Sequence, residues 1–264
     1  MIDRFAALIG TLCLAAALVT LWIARLSVPD DVYVSGLGAP GMPTARAFQI
    51  VLLLIVLGGS LIAWAGRGIR SRARLLRAWI PAASLWVASG FFLVDSQVSC
   101  TPGCPLPLGA TFTLQDFVHT LSAVLAFAAA SWAILQCAFA VGHPALARFS
   151  LVAAISVAAI SSAGGLMSLM HFETAVGSRF ELVATTIGLA WIVVFGGSLA
   201  AARSVVADSA PAGSAPHGGQ QLIGQVDEPM DLTLVPVDPS GLRLAADRHE
   251  VVMLLPDDEG AFGT

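Results

Sequence analysis

Six stretches of this chain, residues 5–24, 47–65, 78–94, 117–141, 149–170 and 182–202, contain no Asp, Glu, Lys or Arg. A helix needs about 17–25 residues to cross a hydrocarbon core roughly 30 Å thick, and each stretch supplies that length. The runs are apolar throughout rather than alternating, so a helix is the way their backbone N–H and C=O groups are satisfied in lipid. The sequence therefore predicts an all-α, polytopic membrane bundle of six spanning helices over residues 1–203. Composition agrees, with 57% hydrophobic and only 11% charged residues. Soluble domains carry about 25% charged residues. The first run is read as a retained anchor rather than a signal peptide, because no small-x-small cleavage site follows it before Arg25.

Charge is divided along the chain. Residues 1–204 carry eleven Arg against seven acids, and residues 205–264 carry two Arg against ten acids. Lys is absent, and the Arg gather at helix ends rather than along one stripe, which excludes a nucleic-acid face. Arg67, Arg70, Arg72, Arg74 and Arg77 crowd one short connection, and alternating helices place Arg4, Arg148 and Arg203 on the same side. The opposite side holds only Arg25, Arg46 and Arg179. The bias of Arg toward cytoplasmic loops predicts cytoplasmic N- and C-termini.

The outer loops are then 25–46, 95–116 and 171–181. Pro29-Asp30-Asp31 and Gly38-Ala39-Pro40-Gly41 mark the first as an irregular surface segment. Residues 204–226, rich in Ala, Ser, Gly and Pro, read as a flexible linker. Residues 227–264 form an acidic cytoplasmic tail too short for its own core. It is either disordered or a hairpin that folds against a cytoplasmic protein partner.

Chemistry-bearing side chains gather on the outer face. Cys100 and Cys104 flank a Pro-Gly turn in an Arg-free loop, and in an oxidising compartment they are expected to close a small structural disulfide. Redox exchange of the thioredoxin kind favours two intervening residues and a βαβ setting, both missing here. Cys13 and Cys137 lie inside apolar runs, where packing is the default role. Asp95 closes helix 3, Asp116 and His119 open helix 4, His171 and Glu173 follow helix 5, and Arg179 and Glu181 open helix 6. Ser178 and Glu181 have capping-box spacing, as do Thr113 and Asp116. Asp116, His119 and Ser122 share a helix face, but a hydrolytic triad needs the His between the other two, which one helix rarely delivers. Asp95 and His119 fit capping preference poorly, an acid at a helix C-terminus and a base near an N-terminus. They are therefore expected to meet. Ser156, Ser161, Ser162 and Ser168, with Gly164 and Gly165, read as close packing of helix 5. No acid or Arg lies mid-span and Gln136 is the deepest strongly polar side chain, which disfavours coupled transport.

Gly90-Phe91-Phe92-Leu93-Val94-Asp95, Asp116-Phe117-Val118-His119, and Arg179-Phe180-Glu181 ahead of Trp191 together resemble the bacterial six-helix membrane family known as domain of unknown function 998, common in actinobacteria. The resemblance covers about residues 1–204. It implies a six-helix fold in a bacterial plasma membrane and brings no reaction. Two functions are carried forward. One is a non-enzymatic accessory, lipid-interacting or assembly protein, without a cofactor and with membrane lipids as partners. The alternative is a membrane-embedded hydrolase in which Asp95, His119 and His171 bind zinc, three protein ligands plus water being the catalytic count.

Overall fold

The computed structural model describes residues 2–29, 31–105, 107, 109–170 and 174–208. Among the described residues there are six α-helices: α1 (Ile2–Leu26), α2 (Ala45–Ala65), α3 (Pro81–Gln97), α4 (Leu114–Cys137), α5 (Pro144–Leu169) and α6 (Thr174–Asp208). His171, Glu173, residues 209–226 of the expected linker and the 227–264 tail lie outside the described residues, while residues 204–208, expected to begin the flexible linker, instead continue α6.

Local chemistry sets several of the boundaries. Pro81 starts α3 after an extended Ile80, where the missing N–H costs nothing and the fixed φ suits the first helical turn. Thr113 and Asp116 start α4 as a full capping box, each side chain meeting the other's backbone N–H. One expectation fails here and another holds only in part. Helix 6 begins at Thr174 rather than near 182, so Ser178 and Glu181 sit inside it and form no cap; Ser178 Oγ instead donates to Ala175 O at 2.9 Å. A helix satisfies its own backbone beyond the hydrocarbon edge, so charge ends the apolar run without ending the helix. The 25–46 loop exposes Pro29, Asp31, Pro40 and Gly41 as a surface segment would, but part of it also turns inward. Val28, Val34, Leu37 and Ala39 are buried, and a 3-10 turn at Ser35–Gly38 folds them over one end of the bundle.

Among the described residues five helices are long and apolar enough to cross a membrane; α3, with 17 residues, is the exception. Each helix packs on the next, and α6 returns to pack on α1, closing a ring. Its interior holds Leu14, Leu21, Ile62, Trp191 and Phe195, all nearly inaccessible. Its exterior exposes Leu12, Leu57, Val124, Val152 and Ile155. So much outward-facing apolar surface on helices of this length suits lipid and not water. The α1–α2 contact depends on two glycines: a Cβ on Gly10 would stand 2.9 Å from Gly58 O, and one on Gly58 would stand 2.8 Å from Gly10 O. Small residues at such crossings let two backbones approach closely.

The Arg-rich end is tied by backbone hydrogen bonds between connections. Arg72 N–H donates to Phe139 O at 2.9 Å, and Val141 N–H donates to Arg70 O at 3.0 Å. Gln136 is fully buried there. Its amide donates to Leu76 O and Trp79 O, and its carbonyl accepts from Ser84 Oγ at 2.8 Å, so this deepest polar side chain clasps α4 to the start of α3. Helix 5 packs otherwise than its serines suggested. Ser161 and Ser162 are exposed, while Gly164 lies against Phe180 and Ser150 accepts from the indole of Trp191 at 2.9 Å.

Candidate functional site

The opposite end of the ring, where the 25–46 and 98–113 loops meet, gathers the polar residues singled out in the sequence. Asp95 occupies the last turn of α3 and His119 the second turn of α4, and these helices are adjacent. The two side chains meet: His119 Nδ1 lies 2.7 Å from Asp95 Oδ1, with both groups buried. Nδ1 also lies 2.9 Å from Val98 O. Both neighbours are acceptors, so Nδ1 carries a proton shared between them. Nε2 on the far side of the ring is buried with no partner. Ser122, one turn further along α4, donates to His119 O at 2.9 Å and only reaches Asp95 at 3.5 Å.

Asp116 is engaged elsewhere. Its carboxylate accepts from Thr101 N–H at 2.7 Å, from Thr101 Oγ1, and from Thr113 N–H and Oγ1 at 2.9 and 2.6 Å. These bonds fasten the Cys100 loop to the start of α4. The shared face of Asp116, His119 and Ser122 is therefore real, but no proton relay joins all three. Asp116 binds the loop, and Asp95, from another helix, holds the imidazole.

Cys100 and Cys104 stand at disulfide-bonding distance, with Cα atoms 5.1 Å apart. A ring nitrogen of His119 lies within 4.8 Å of both sulfurs, and this is the group of potential metal-ligand atoms found among the described residues. Of the expected Asp95–His119–His171 set, His171 lies outside the described residues. Asp95 is turned onto the imidazole, as a partner that orients a ligand rather than as a ligand.

Arg179 and Glu181 also part company. Arg179 donates to Asp31 Oδ2 at 2.8 Å, while Arg25 donates to Asp31 Oδ1 at 2.8 Å. Asp31 thus joins α1, the first loop and α6, and the Arg179 hydrogen bond, outweighing slight desolvation and helped by Arg25, holds its carboxyl below the usual aspartate range. Glu181 reaches across to the same loop, where its Oε2 accepts from Val34 N–H at 2.8 Å.

Two cavities meet at this cluster. One, about 100 Å³, lies inside the ring with mostly apolar walls, and Asp95, Glu181 and Ser35 are among its polar residues. The other, about 220 Å³, is more polar and is lined by Arg46, Gln49, Gln97 and His119 among others. Phe48, Leu52 and Asp95 line both. The sequence reading missed Arg46, Gln49 and Thr101 as parts of this region. The capping-box spacing of Thr113 and Asp116 marked where α4 begins but not what else the carboxylate holds. No protein-family model, curated protein or solved structure matches this chain.

Proposed function

We propose that this chain is a six-span protein of a bacterial plasma membrane that binds a lipid as an accessory or assembly component. The observation that carries this reading is the junction of the two cavities at Asp95. An apolar space of about 100 Å³ suits a hydrocarbon segment, since an apolar cavity of ~150 Å³ holds a benzene molecule. The adjoining polar space of about 220 Å³, with Arg46 and Gln49 on its wall, suits a headgroup. The remainder of such a lipid lies in the bilayer between helices. In this reading α3 is the sixth span, its 17 residues covering ~26 Å at 1.5 Å per residue. An even number of spans puts both termini on the Arg-rich, cytoplasmic side. The acidic 227–264 tail then faces cytoplasmic protein partners. The short motifs around Asp95, His119 and Glu181 support membership of the domain of unknown function 998 family.

Native mass spectrometry of the detergent-purified chain tests the reading. Lipid should be retained by the wild type. Gly188 lines the apolar cavity, with open space where its side chain would be, so Gly188→Leu should fill the space and reduce retention. Equal retention by both proteins, or none by either, defeats the proposal.

One observation favours a metal-dependent hydrolase as the second reading. His119 keeps Nε2 unpartnered while Asp95 holds Nδ1, the arrangement a carboxylate gives to a metal-binding imidazole. The buried donor fits zinc, with His119 as the ligand, Asp95 behind it, and zinc supplying Lewis acidity and an activated water when bound. Metal analysis decides this reading: it requires stoichiometric zinc that is lost in His119→Ala.

A further inference from the structure

We propose that Cys100 and Cys104 form an exchangeable disulfide, a thiol–disulfide exchange site served by His119 for a dithiol partner in the adjoining aqueous phase. A purely structural staple requires neither an acid–base group nor an accessible sulfur. This pair has both. Cys100 is buried, at 1% exposure, whereas Cys104 is half-buried behind the exposed Pro102 and Gly103. Cys104 is also the only non-glycine with positive φ among the described residues, at 45°, directly after Gly103 at 84°. Such a conformation is sparsely populated by residues with a Cβ and stores backbone strain, a feature that gathers at functional segments. The His119 ring then places a nitrogen within 4.8 Å of both sulfurs. Its Nδ1 is held by Asp95 and Val98 O, and its buried Nε2 has no other partner.

The geometry sets the direction of exchange. A thiol of the partner attacks Cys104 Sγ, the sulfur that can be approached, and a mixed disulfide forms there as the Cys100–Cys104 bond breaks. The electron pair of that bond goes to Cys100 Sγ. This sulfur takes up the proton given up by the attacking thiol, carried by the His119 ring. The partner's second thiol then attacks its own sulfur in the mixed disulfide, and Cys104 leaves as a thiol. One partner dithiol is oxidised to a disulfide, and the loop disulfide is reduced to two thiols. The bonded sulfurs favour this chemistry over a three-ligand metal site, since neither is free to serve as a thiolate ligand.

The test uses the full chain in detergent with glutathione as the probe, located by peptide mapping so that Cys13 and Cys137 do not confuse the result. With oxidised glutathione, Cys100→Ser should form a mixed disulfide at Cys104, and Cys104→Ser should form little at Cys100. Equal trapping at the two sulfurs, or none at Cys104, overturns the proposal. With reduced glutathione, the wild-type disulfide should open without unfolding, and in His119→Gln it should open about 10²-fold more slowly, the scale of positioned proton transfer. Equal rates overturn it too, as does a wild-type disulfide that yields only on denaturation, or a reduced protein that takes up one zinc per chain at these residues. If His119→Gln does not fold, the asymmetry between the two cysteine variants decides.

Discussion

His119 and Asp95, placed by different helices, meet at 2.7 Å with both side chains buried. Removing one partner leaves the other buried without its bond, at a cost of about 1–3 kcal/mol. A double-mutant cycle with Asp95→Asn and His119→Gln, read by thermal unfolding in detergent, should therefore be non-additive. Additivity within about 0.3–0.5 kcal/mol would show that the two do not interact.

Glu181 and Val34 form the long-range counterpart on the other side of the ring. Glu181→Ala removes the acceptor at 2.8 Å from the Val34 N–H, so the first loop should loosen by about 1–3 kcal/mol. Hydrogen exchange at the amide of Val34 should accelerate selectively. If only the amides of α6 respond, the carboxylate serves its own helix and not the loop.

The span of α3 is testable at its two flanks, because Leu75 is 89% exposed and Ala110 is also exposed. In a Cys-free background, Leu75→Cys and Ala110→Cys should label from opposite faces of the membrane. Labelling from one face would make α3 a helix that enters without crossing.

Asp31 should give the bundle an acid-sensitive joint. Its carboxyl lies below the ordinary aspartate value when folded, chiefly through the Arg179 hydrogen bond, with Arg25 adding to it. Its contribution is therefore fully present above the unfolded aspartate range and is lost as pH falls through the lowered folded value. Exposed ion pairs are also screened by salt. Asp31→Asn should remove this part of the acid dependence of unfolding, and wild type in high salt should approach the variant. Unchanged acid profiles in the variant would refute the role.

Gly10 and Gly58 predict a packing limit. A Cβ on either would stand within 3 Å of the other's carbonyl oxygen, and forcing atoms into a close-packed site costs about 1–3 kcal/mol. Gly10→Val should lower the unfolding temperature, whereas Gly165→Ala, with open space around it, should not. Equal effects would mean that helix propensity and not packing is being measured.

The helices were legible because uncharged length is itself the physical requirement for crossing a bilayer. The ends were less so: the last charge, Glu181, marked where the apolar run begins, while the backbone of α6 had already been helical since Thr174. Asp95 and His119 stood out because each sat at the wrong pole of a helix dipole, a conflict that a direct contact resolves. The partners of Arg179 and Glu181 were hidden for the opposite reason. Their spacing had a sufficient local explanation, and nothing local shows that they reach Asp31 and Val34, 148 and 147 residues away. The proximity of His119 to the cysteines was hidden in the same way, since the fold of the loop depends on Thr101 meeting Asp116.

The return of α6 onto α1 bears on how the molecule is made. Synthesis delivers the helices in order, so the contact between α1 and α6 joins the first helix to the last. Without α6 the ring has no contact that joins α5 back to α1. Trp191 and Glu181, both on α6, supply part of the wall of the inner cavity, so that cavity has no separate existence before closure. The cavity therefore belongs to the closed ring alone: its wall is complete only when the last helix has joined the first.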